Sequence, residues 1–381
     1  MKHNPGIYIH IPFCQKKCGY CDFYSVTDLS ARTQFLNALH QEFLLLARRI
    51  HPGTTFDTIY LGGGTPSLLT PFEIENILHQ LYTIFKISTN VEITLEANPG
   101  VIEEDMFDDF KQAGINRLSI GVQSFDNSEL EFLDRIHTSE QAVKSIYSAQ
   151  DAGFDNYSID LIFAQPGQTV ESWTNSLQKA FELKPKHISA YNLIYEEGTP
   201  FHQRLLSGDI IPHPETEEIL FWETTQNLMI ENGFHPYEVS NYATDENYYS
   251  RHNIKYWTHT PYLGFGPSAH SFWENQRWSN VRSVEQYISN LHERKQPLDH
   301  LEVLDGPTLE FEHIFLSLRT YQGLDLDLFE QKFDSLFTEK YKYECNDLMQ
   351  QNLAETQKGF FRFTPKGMII CDAVLQEFYR A

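Results

Sequence analysis

The sequence predicts an α/β fold: a partial (β/α)6-type barrel followed by a C-terminal, mainly helical, winged-helix-like domain. Short apolar runs alternate six times with amphipathic stretches at a mean spacing of roughly 35 residues, which is typical of a parallel sheet. After residue 192 the pattern changes to an aromatic-rich segment and then to helical stretches around a small hairpin. A doubly wound open sheet is the alternative that this periodicity leaves open.

The six candidate strands are rich in Ile, Leu, Val or Tyr and are mostly followed by turn-forming residues. They are residues 7–11, 58–61, 92–96, 117–122, 157–162 and 187–192. Apolar residues recur every three or four positions between them and predict helices. These helices are residues 31–49, 71–85, 103–113, 139–152 and 170–183. In such a barrel the chemistry is expected at the C-terminal ends of the strands.

Three segments are expected along the chain. Residues 1–195 form the barrel core, 196–300 complete the barrel, and 301–381 form the winged-helix-like domain. The last segment is expected to contain helices, a hairpin of two short strands and a closing helix. The helices are 309–318, 324–329 and 335–351, the hairpin strands are 353–355 and 360–363, and the closing helix is 365–378.

The composition of the chain argues against several classes of protein, among them nucleic-acid-binding and membrane-spanning proteins. The formal charge is −23, from 29 basic and 52 acidic residues, and such a surface repels nucleic acid. No run of apolar residues is long enough to predict a membrane span. The five cysteines are odd in number and three of them are clustered, which argues against a disulfide framework and for a reducing cytoplasm.

The clustered cysteines directly follow the first predicted strand. Cys14, Cys18 and Cys21 have the spacing Cys-x3-Cys-x2-Cys. Iron–sulfur clusters are normally held by four thiolates. With only three nearby, one iron keeps an open coordination position at which a ligand can bind. A zinc site with His10 as the fourth ligand is the alternative.

This loop resembles the radical S-adenosylmethionine superfamily. The resemblance implies that the open iron of a [4Fe-4S] cluster binds S-adenosylmethionine, and that the cluster needs a reductant as a partner. Residues 62–66 resemble the superfamily's glycine-rich element, and a tight turn without a ligand is the alternative. The implied S-adenosylmethionine site is lined by Tyr8, Gly64, Thr65, Glu96, Gln123, Arg135 and Asp160. Glu96 suits ribose hydroxyls, and Arg135 suits the methionine carboxylate.

The resemblance narrows to the oxygen-independent coproporphyrinogen III dehydrogenase group. Residues 8–14, 121–125, 160–168 and 191–200 resemble that group, and the match runs over nearly the whole chain. Two features depart from it. Phe23 stands where the dehydrogenase has a further cysteine, and only six residues precede Ile7. Both features are similar to the sister family, the HemW heme chaperones, as is the sequence His-Asn-x-x-Tyr-Trp that begins at His252.

The HemW resemblance implies heme as a further ligand. His252 would be its axial ligand, and Tyr256 and Trp257 would offer flat apolar faces to the porphyrin. A structural corner built on His252 is the alternative. The implied partners are apo-hemoproteins such as respiratory-chain enzymes and a second copy of the chain, at a cytoplasmic location that extends to the inner face of the membrane.

Two other functions stay open at this point. One is radical oxidative decarboxylation of coproporphyrinogen III, and the other is a radical reaction on an unidentified small molecule; no catalytic residue is assigned. Local departures from the group occur at residues 164–168 and at Asp134, where glycine is usual. Neither is expected to touch a proposed ligand.

Overall fold

The structure is a computed structural model that describes residues 4–103 and 106–379. Within these residues, twelve strands form one sheet and three more form a second sheet. The centre of the large sheet consists of six parallel strands close to the predicted ones. They are β1 (Gly6–Ile11), β2 (Thr55–Gly63), β3 (Lys86–Ala97), β4 (Arg117–Gln123), β5 (Tyr157–Phe163) and β6 (His187–Asn192).

Helices connect these strands, most of them at the predicted positions. They are α1 (Arg32–Ala47), α2 (Pro71–Ile84), α3 (Met106–Gln112), α4 (Asn127–Phe132), α5 (Ser139–Asp151) and α6 (Val170–Glu182). Of the predicted 103–113 helix, residues 104 and 105 lie outside the described residues. Thr70 explains the start of α2, because its side chain and that of Glu73 form a reciprocal capping box. In the part of the chain that is described, no helix combines the length and apolarity that a bilayer crossing requires.

The order of the strands distinguishes the two predicted architectures. β1 to β6 are neighbours in chain order, and each pairs in parallel with the next. A doubly wound sheet would reverse direction at a switch point, so that alternative is wrong. The sheet does not close on itself, which confirms the partial barrel.

The segment after β6 extends the sheet at both edges. β7 (His235–Pro236) and β8 (Asn241–Ala243) add antiparallel strands beside β6, whereas β9 (Tyr262–Phe265) pairs in parallel with the outer edge of β1. The sequence analysis did not predict these short strands. The elements are α7 (Pro200–Ser207), α8 (Glu215–Glu231), β7 (His235–Pro236), β8 (Asn241–Ala243), α9 (Arg251–Trp257), β9 (Tyr262–Phe265), β10 (His270–Trp273), β11 (Gln276–Asn280), α10 (Val284–His292) and β12 (Leu298–Val303).

The C-terminal residues form a second core around the three-stranded sheet, in which β15 (Phe360–Phe363) lies between β13 (Leu324–Asp325) and β14 (Ala354–Gln357). Helices and strands follow one another as expected for a winged-helix-like unit. They are α11 (Gly306–Ser317), β13 (Leu324–Asp325), α12 (Leu326–Phe333), α13 (Phe337–Lys340), α14 (Lys342–Gln350), β14 (Ala354–Gln357), β15 (Phe360–Phe363), α15 (Pro365–Ile369) and α16 (Cys371–Leu375).

Three predicted helices of this unit need correction. Leu324 and Asp325 form a strand instead of a first helical turn, because Leu324 pairs with Phe361 and the Asp325 side chain caps α12. The predicted 335–351 helix divides at Tyr341, and the closing helix divides at Ile370. The thiols of Cys345 and Cys371 are buried, as expected, and burial raises the pKa of each to about 12.

A buried carboxyl group on α1 holds together three segments at the outer edge of the large sheet. Glu42 on α1 accepts hydrogen bonds from the backbone N–H of Gly266 (2.8 Å), the Asn280 amide (2.6 Å) and the Tyr287 hydroxyl (2.6 Å). These donors follow β9, end β11 and lie on α10. Burial raises the pKa of Glu42 to about 7 despite the three donors.

We expect Glu42→Gln to lower the free energy of unfolding by about 1–3 kcal/mol at pH 5, because the amide turns two N–H groups towards neighbouring donors, where the protonated carboxyl group turns one O–H group. The folded-state pKa of Glu42 lies above its unfolded value, so wild type loses stability as pH rises from about 4.5 to 7. The variant does not titrate there. Urea unfolding should therefore show a smaller difference between the two proteins at pH 8 than at pH 5, and a larger difference would contradict the raised pKa.

Candidate functional site

The cysteine loop begins where β1 ends. Phe13 and Val26 form an isolated bridge, so the loop leaves the sheet and returns to it. The N–H of Cys14 donates to the Val26 carbonyl (2.9 Å), and a turn joins Cys21 to Cys18 (3.2 Å). Cys14 is buried, while Cys18 and Cys21 are half-buried. The loop is therefore anchored at both ends with its three thiols on the side of the strand ends.

The surroundings of the thiols fit an iron–sulfur cluster. The Thr65 hydroxyl donates to the sulfur of Cys14 (3.4 Å), and the Arg135 guanidinium donates to that of Cys18 (3.7 Å). Burial raises the pKa of Cys21 to about 11, and the neighbouring thiols add to the effect. No three Cys, His, Asp or Glu side chains within residues 4–103 and 106–379 already form a metal-ligand group. Two of the three sulfurs therefore accept hydrogen bonds, as the sulfur ligands of iron–sulfur clusters do.

His10 does not fit the zinc alternative. One ring nitrogen contacts the Tyr8 hydroxyl (3.1 Å) and the other contacts the Tyr24 carbonyl (2.8 Å). The ring is buried, and burial lowers its pKa to about 4. Because both ring nitrogens are already hydrogen-bonded, His10 supports the cysteine loop from below and is not free to act as a fourth metal ligand.

The glycine-rich turn after β2 packs directly against the cysteine loop. The N–H of Gly64 donates to the Ile11 carbonyl (2.8 Å), and that of Thr65 donates to the Phe13 carbonyl (2.7 Å). A Cβ atom at Gly64 would lie 2.6 Å from the Phe13 carbonyl oxygen. Glycine is therefore required at position 64 by packing, whether or not a ligand also approaches.

Glu96, near the end of β3, is a half-buried acceptor. It accepts hydrogen bonds from the Tyr60 hydroxyl (3.0 Å) and the Gly63 N–H (3.1 Å). Burial raises its pKa to about 7. Tyr8 stacks beside Tyr60, with ring centroids 6.1 Å apart, and brings β1 to the same interior face. A carboxyl group held in this way can accept hydroxyl donors from a bound ligand.

Arg135 is oriented by the ends of two strands. Its guanidinium donates to the Asn98 side chain after β3 and to the Gly121 carbonyl in β4 (2.7 Å). Its Nε atom is buried and has no hydrogen-bond partner among the described residues. One N–H is therefore left for an acceptor, as the predicted pairing with a carboxylate requires.

Gln123 and Asp160 complete the predicted set. Gln123 ends β4 at a bulge with φ +68°, a left-handed conformation that non-glycine residues rarely adopt outside special sites. Asp160 in β5 accepts hydrogen bonds from three serine hydroxyls, at 2.7–2.8 Å. Asp160 is satisfied from within the barrel, and Tyr8 also lies within its strand, 6.4 Å from the His252 ring. The other predicted residues lie near the C-terminal end of the barrel.

Asp134 was not expected to touch a proposed ligand, but the structure places it against Cys18, one of the three proposed cluster ligands. Its carboxylate forms a 2.9 Å ion pair with Lys16 in the cysteine loop, and its carbonyl lies 3.9 Å from the sulfur of Cys18. Asp134 adopts φ +59°, so it holds this contact in a strained conformation. The signal available in the sequence was the departure from glycine directly beside Arg135.

The residues predicted to contact heme lie at the other end of the barrel. In α9, the His252 ring contacts the Thr58 hydroxyl (2.8 Å) and the Tyr256 hydroxyl (3.0 Å). Its backbone N–H donates to Glu92 (3.0 Å), and burial lowers its pKa to about 3. This closed arrangement favours the structural alternative for His252. Trp257 is half-buried and lines an open cleft.

Comparisons with known protein families match one N-terminal and one C-terminal part of the chain. Residues 8–180 match the Radical SAM superfamily, and residues 304–370 match the HemN C-terminal domain. The chain is 33% identical to the heme chaperone HemW of Bacillus subtilis (strain 168), over 97% of this chain and 98% of that protein. It is 32% identical to the heme chaperone HemW of Escherichia coli (strain K12), over 91% of this chain and 93% of that protein.

A solved structure agrees with the fold. The coproporphyrinogen III oxidase HemN from Escherichia coli, described as a radical SAM enzyme, superposes with a TM-score of 0.85. The match covers 99% of this chain and 90% of that one, at 24% identity. At this identity the likeness establishes the architecture and not the activity.

We expect Thr65→Val to make the reduction potential of the cluster more negative, because it removes a hydrogen bond to a ligand sulfur. A bond of about 1 kcal/mol corresponds to about 40 mV for a one-electron couple. A redox titration followed by electron paramagnetic resonance measures the change. Thr83→Val, on the exposed face of α2, is the matched control, and equal potentials in both variants would contradict the role of Thr65.

Proposed function

The chain belongs to the HemW family of heme chaperones within the radical S-adenosylmethionine superfamily, and on this premise we propose that it binds heme and delivers it to apo-hemoproteins. The match to heme chaperones along 97% of the chain carries the proposal. A [4Fe-4S] cluster and S-adenosylmethionine are the resident cofactors. The dehydrogenase alternative has no comparable support, because Phe23 replaces its additional cysteine.

The residues at the cluster end, where β1 to β6 reach their C-terminal ends beside the cysteine loop, have separate roles. Cys14, Cys18 and Cys21 ligate the cluster, which when bound supplies an iron that can hold S-adenosylmethionine and cleave it reductively. Thr65 and Arg135 donate hydrogen bonds to the ligand sulfurs. Five residues around them position S-adenosylmethionine by hydrogen bonding and packing. They are Tyr8, Gly64, Glu96, Gln123 and Asp160.

The free Nε–H of Arg135 suits the methionine carboxylate, and the Glu96 carboxylate suits the ribose hydroxyls. Both groups are half-buried, and this partial removal from water strengthens such contacts.

Apolar side chains at the cluster end support a partner-binding role. Phe23 and Ile194 follow β1 and β6 and are 65% and 62% exposed. Exposed apolar surface of this kind is typical of contacts with other proteins. The proposed partners are respiratory-chain apo-hemoproteins, a reductant for the cluster, and a second copy of the chain. The proposed location is the cytoplasm, including the inner face of the membrane where such acceptors are found.

A comparison of two ligands tests the proposed function. Cluster-reconstituted protein is mixed with heme and, separately, with coproporphyrinogen III and S-adenosylmethionine under reducing conditions. We expect a Soret band for bound heme, transfer of that band to an added apo-hemoprotein, and no protoporphyrinogen. Catalytic turnover of coproporphyrinogen III would overturn the proposal, as would the absence of heme binding.

The predicted axial role of His252 has its own test. If His252 ligates heme iron, His252→Ala should alter the Soret band, and added imidazole should restore it. If the residue is structural, the variant should lose about 2–4 kcal/mol of unfolding free energy, because two hydrogen bonds and a buried ring are removed. An unchanged heme spectrum together with this loss would contradict axial ligation.

A further inference from the structure

The outer turn of the cysteine loop consists of residues 15–18. Residues 15–17 are exposed and Cys18 is half-buried, whereas Cys14 before them is buried and accepts a hydrogen bond from the Thr65 hydroxyl beside β2. The turn itself belongs to no helix or strand. Its position therefore depends on contacts with neighbouring segments, above all with the residues that follow α4.

Two consecutive residues after α4 contact this turn. The Arg135 guanidinium donates to the sulfur of Cys18 (3.7 Å), and the Asp134 carbonyl accepts from the Cys18 thiol (3.9 Å). The Asp134 carboxylate pairs with Lys16 (2.9 Å). In the part of the chain that the structure describes, this is the only hydrogen bond or ion pair formed by a side chain of residues 15–17.

Asp134 also lies against the backbone that continues from the turn. A Cβ atom at Gly19 would lie 2.9 Å from the Oδ2 atom of Asp134 and 2.5 Å from the Phe201 ring. The carboxylate and the ring thus leave no room for a side chain at position 19. The two carboxylate oxygens have different neighbours, since Oδ1 contacts the Lys16 ammonium and Oδ2 faces Gly19.

The backbone at position 134 does not itself require an aspartate. Asp134 has φ +59° and lies just past the end of α4, where helices commonly end with glycine or asparagine in this left-handed conformation. The N–H of Arg135 then donates to the Leu130 carbonyl (2.9 Å). Glycine or asparagine would end the helix equally well. The carboxylate is therefore explained by its contacts with the outer turn and not by the helix end.

We propose that Asp134 is a positioning residue, which holds the outer turn of the cysteine loop, and with it Cys18, in place for the cluster. This inference rests on the proposed function, in which Cys18 is a cluster ligand. The side chains of Lys16 and Asp134 are 49% and 42% exposed, and exposed ion pairs contribute little to global stability. The effect is therefore expected on local opening of the loop, and so on retention of the cluster, rather than on unfolding of the chain.

The test measures how fast a chelator removes iron from the full-length, cluster-loaded protein under anaerobic conditions, followed by the loss of cluster absorbance. Asp134→Asn removes the charge but keeps a residue that suits the backbone, and Lys16→Gln removes the charge of the partner. The double variant completes the cycle, and Lys16→Arg keeps the positive charge. The matched control is Asp334→Asn, because Asp334 also ends a helix with positive φ (+50°) but lies in the C-terminal domain.

We expect Asp134→Asn, Lys16→Gln and the double variant to lose iron about threefold faster than wild type. The three rates should be similar, because each variant lacks the same ion pair. Lys16→Arg and Asp334→Asn should retain iron as wild type does. Circular dichroism and the initial iron content verify that each variant is folded and loaded.

Failure of the inference and failure of the proposed function are distinguishable. If wild type takes up no four-iron cluster, the proposed function fails and the role of Asp134 fails with it. If wild type is loaded and Asp134→Asn retains iron equally well, only the role of Asp134 is overturned. Opposite changes in Asp134→Asn and Lys16→Gln also overturn it, because net charge and not the pair would then govern iron loss. Additive effects in the double variant overturn it too, since the two residues would act independently.

Discussion

The contact between the cysteine loop and the glycine turn after β2 fixes the geometry of the whole cluster end. Pairing of β1 with β2 brings Ile11 opposite Gly63, and two further backbone hydrogen bonds continue that register into both loops. Thr65 reaches the sulfur of Cys14 only because Gly64 has no side chain to separate them. A shift of one residue in this pairing would turn alternate side chains to the other face and disperse the site.

Polar groups continue from this end into the barrel. Tyr60 donates to Glu96, Asp160 accepts three serine hydroxyls, and the His252 ring lies 5.2 Å from that of Tyr60. Burial of so many polar groups is tolerated because each has partners, and it costs stability when a partner is removed. The barrel interior therefore contains several separate groups of hydrogen-bonded polar side chains between the cluster end and α9.

Much of the fold could be predicted because the six parallel strands and their helices have strong local patterns. β9 could not be, since Tyr262–Phe265 is short and is specified only by the edge of β1 that it joins. In the candidate site, the cysteines were evident from spacing alone. The role of Asp134 was not, because its ion pair with Lys16 depends on a tertiary contact. The hydrogen bonds of His252 could not be predicted for the same reason.

The pairing of β9 with β1 also affects how the protein is made. β1 emerges first from the ribosome, but its outer neighbour is synthesised about 250 residues later. At about 5–20 residues per second, this leaves one side of the first strand without its neighbour for roughly 10 to 50 s. During that interval the nascent chain has an open strand edge, which is prone to pair with other chains. Chaperones that cover such edges during translation would therefore matter more for this chain than for one whose first strand is completed early.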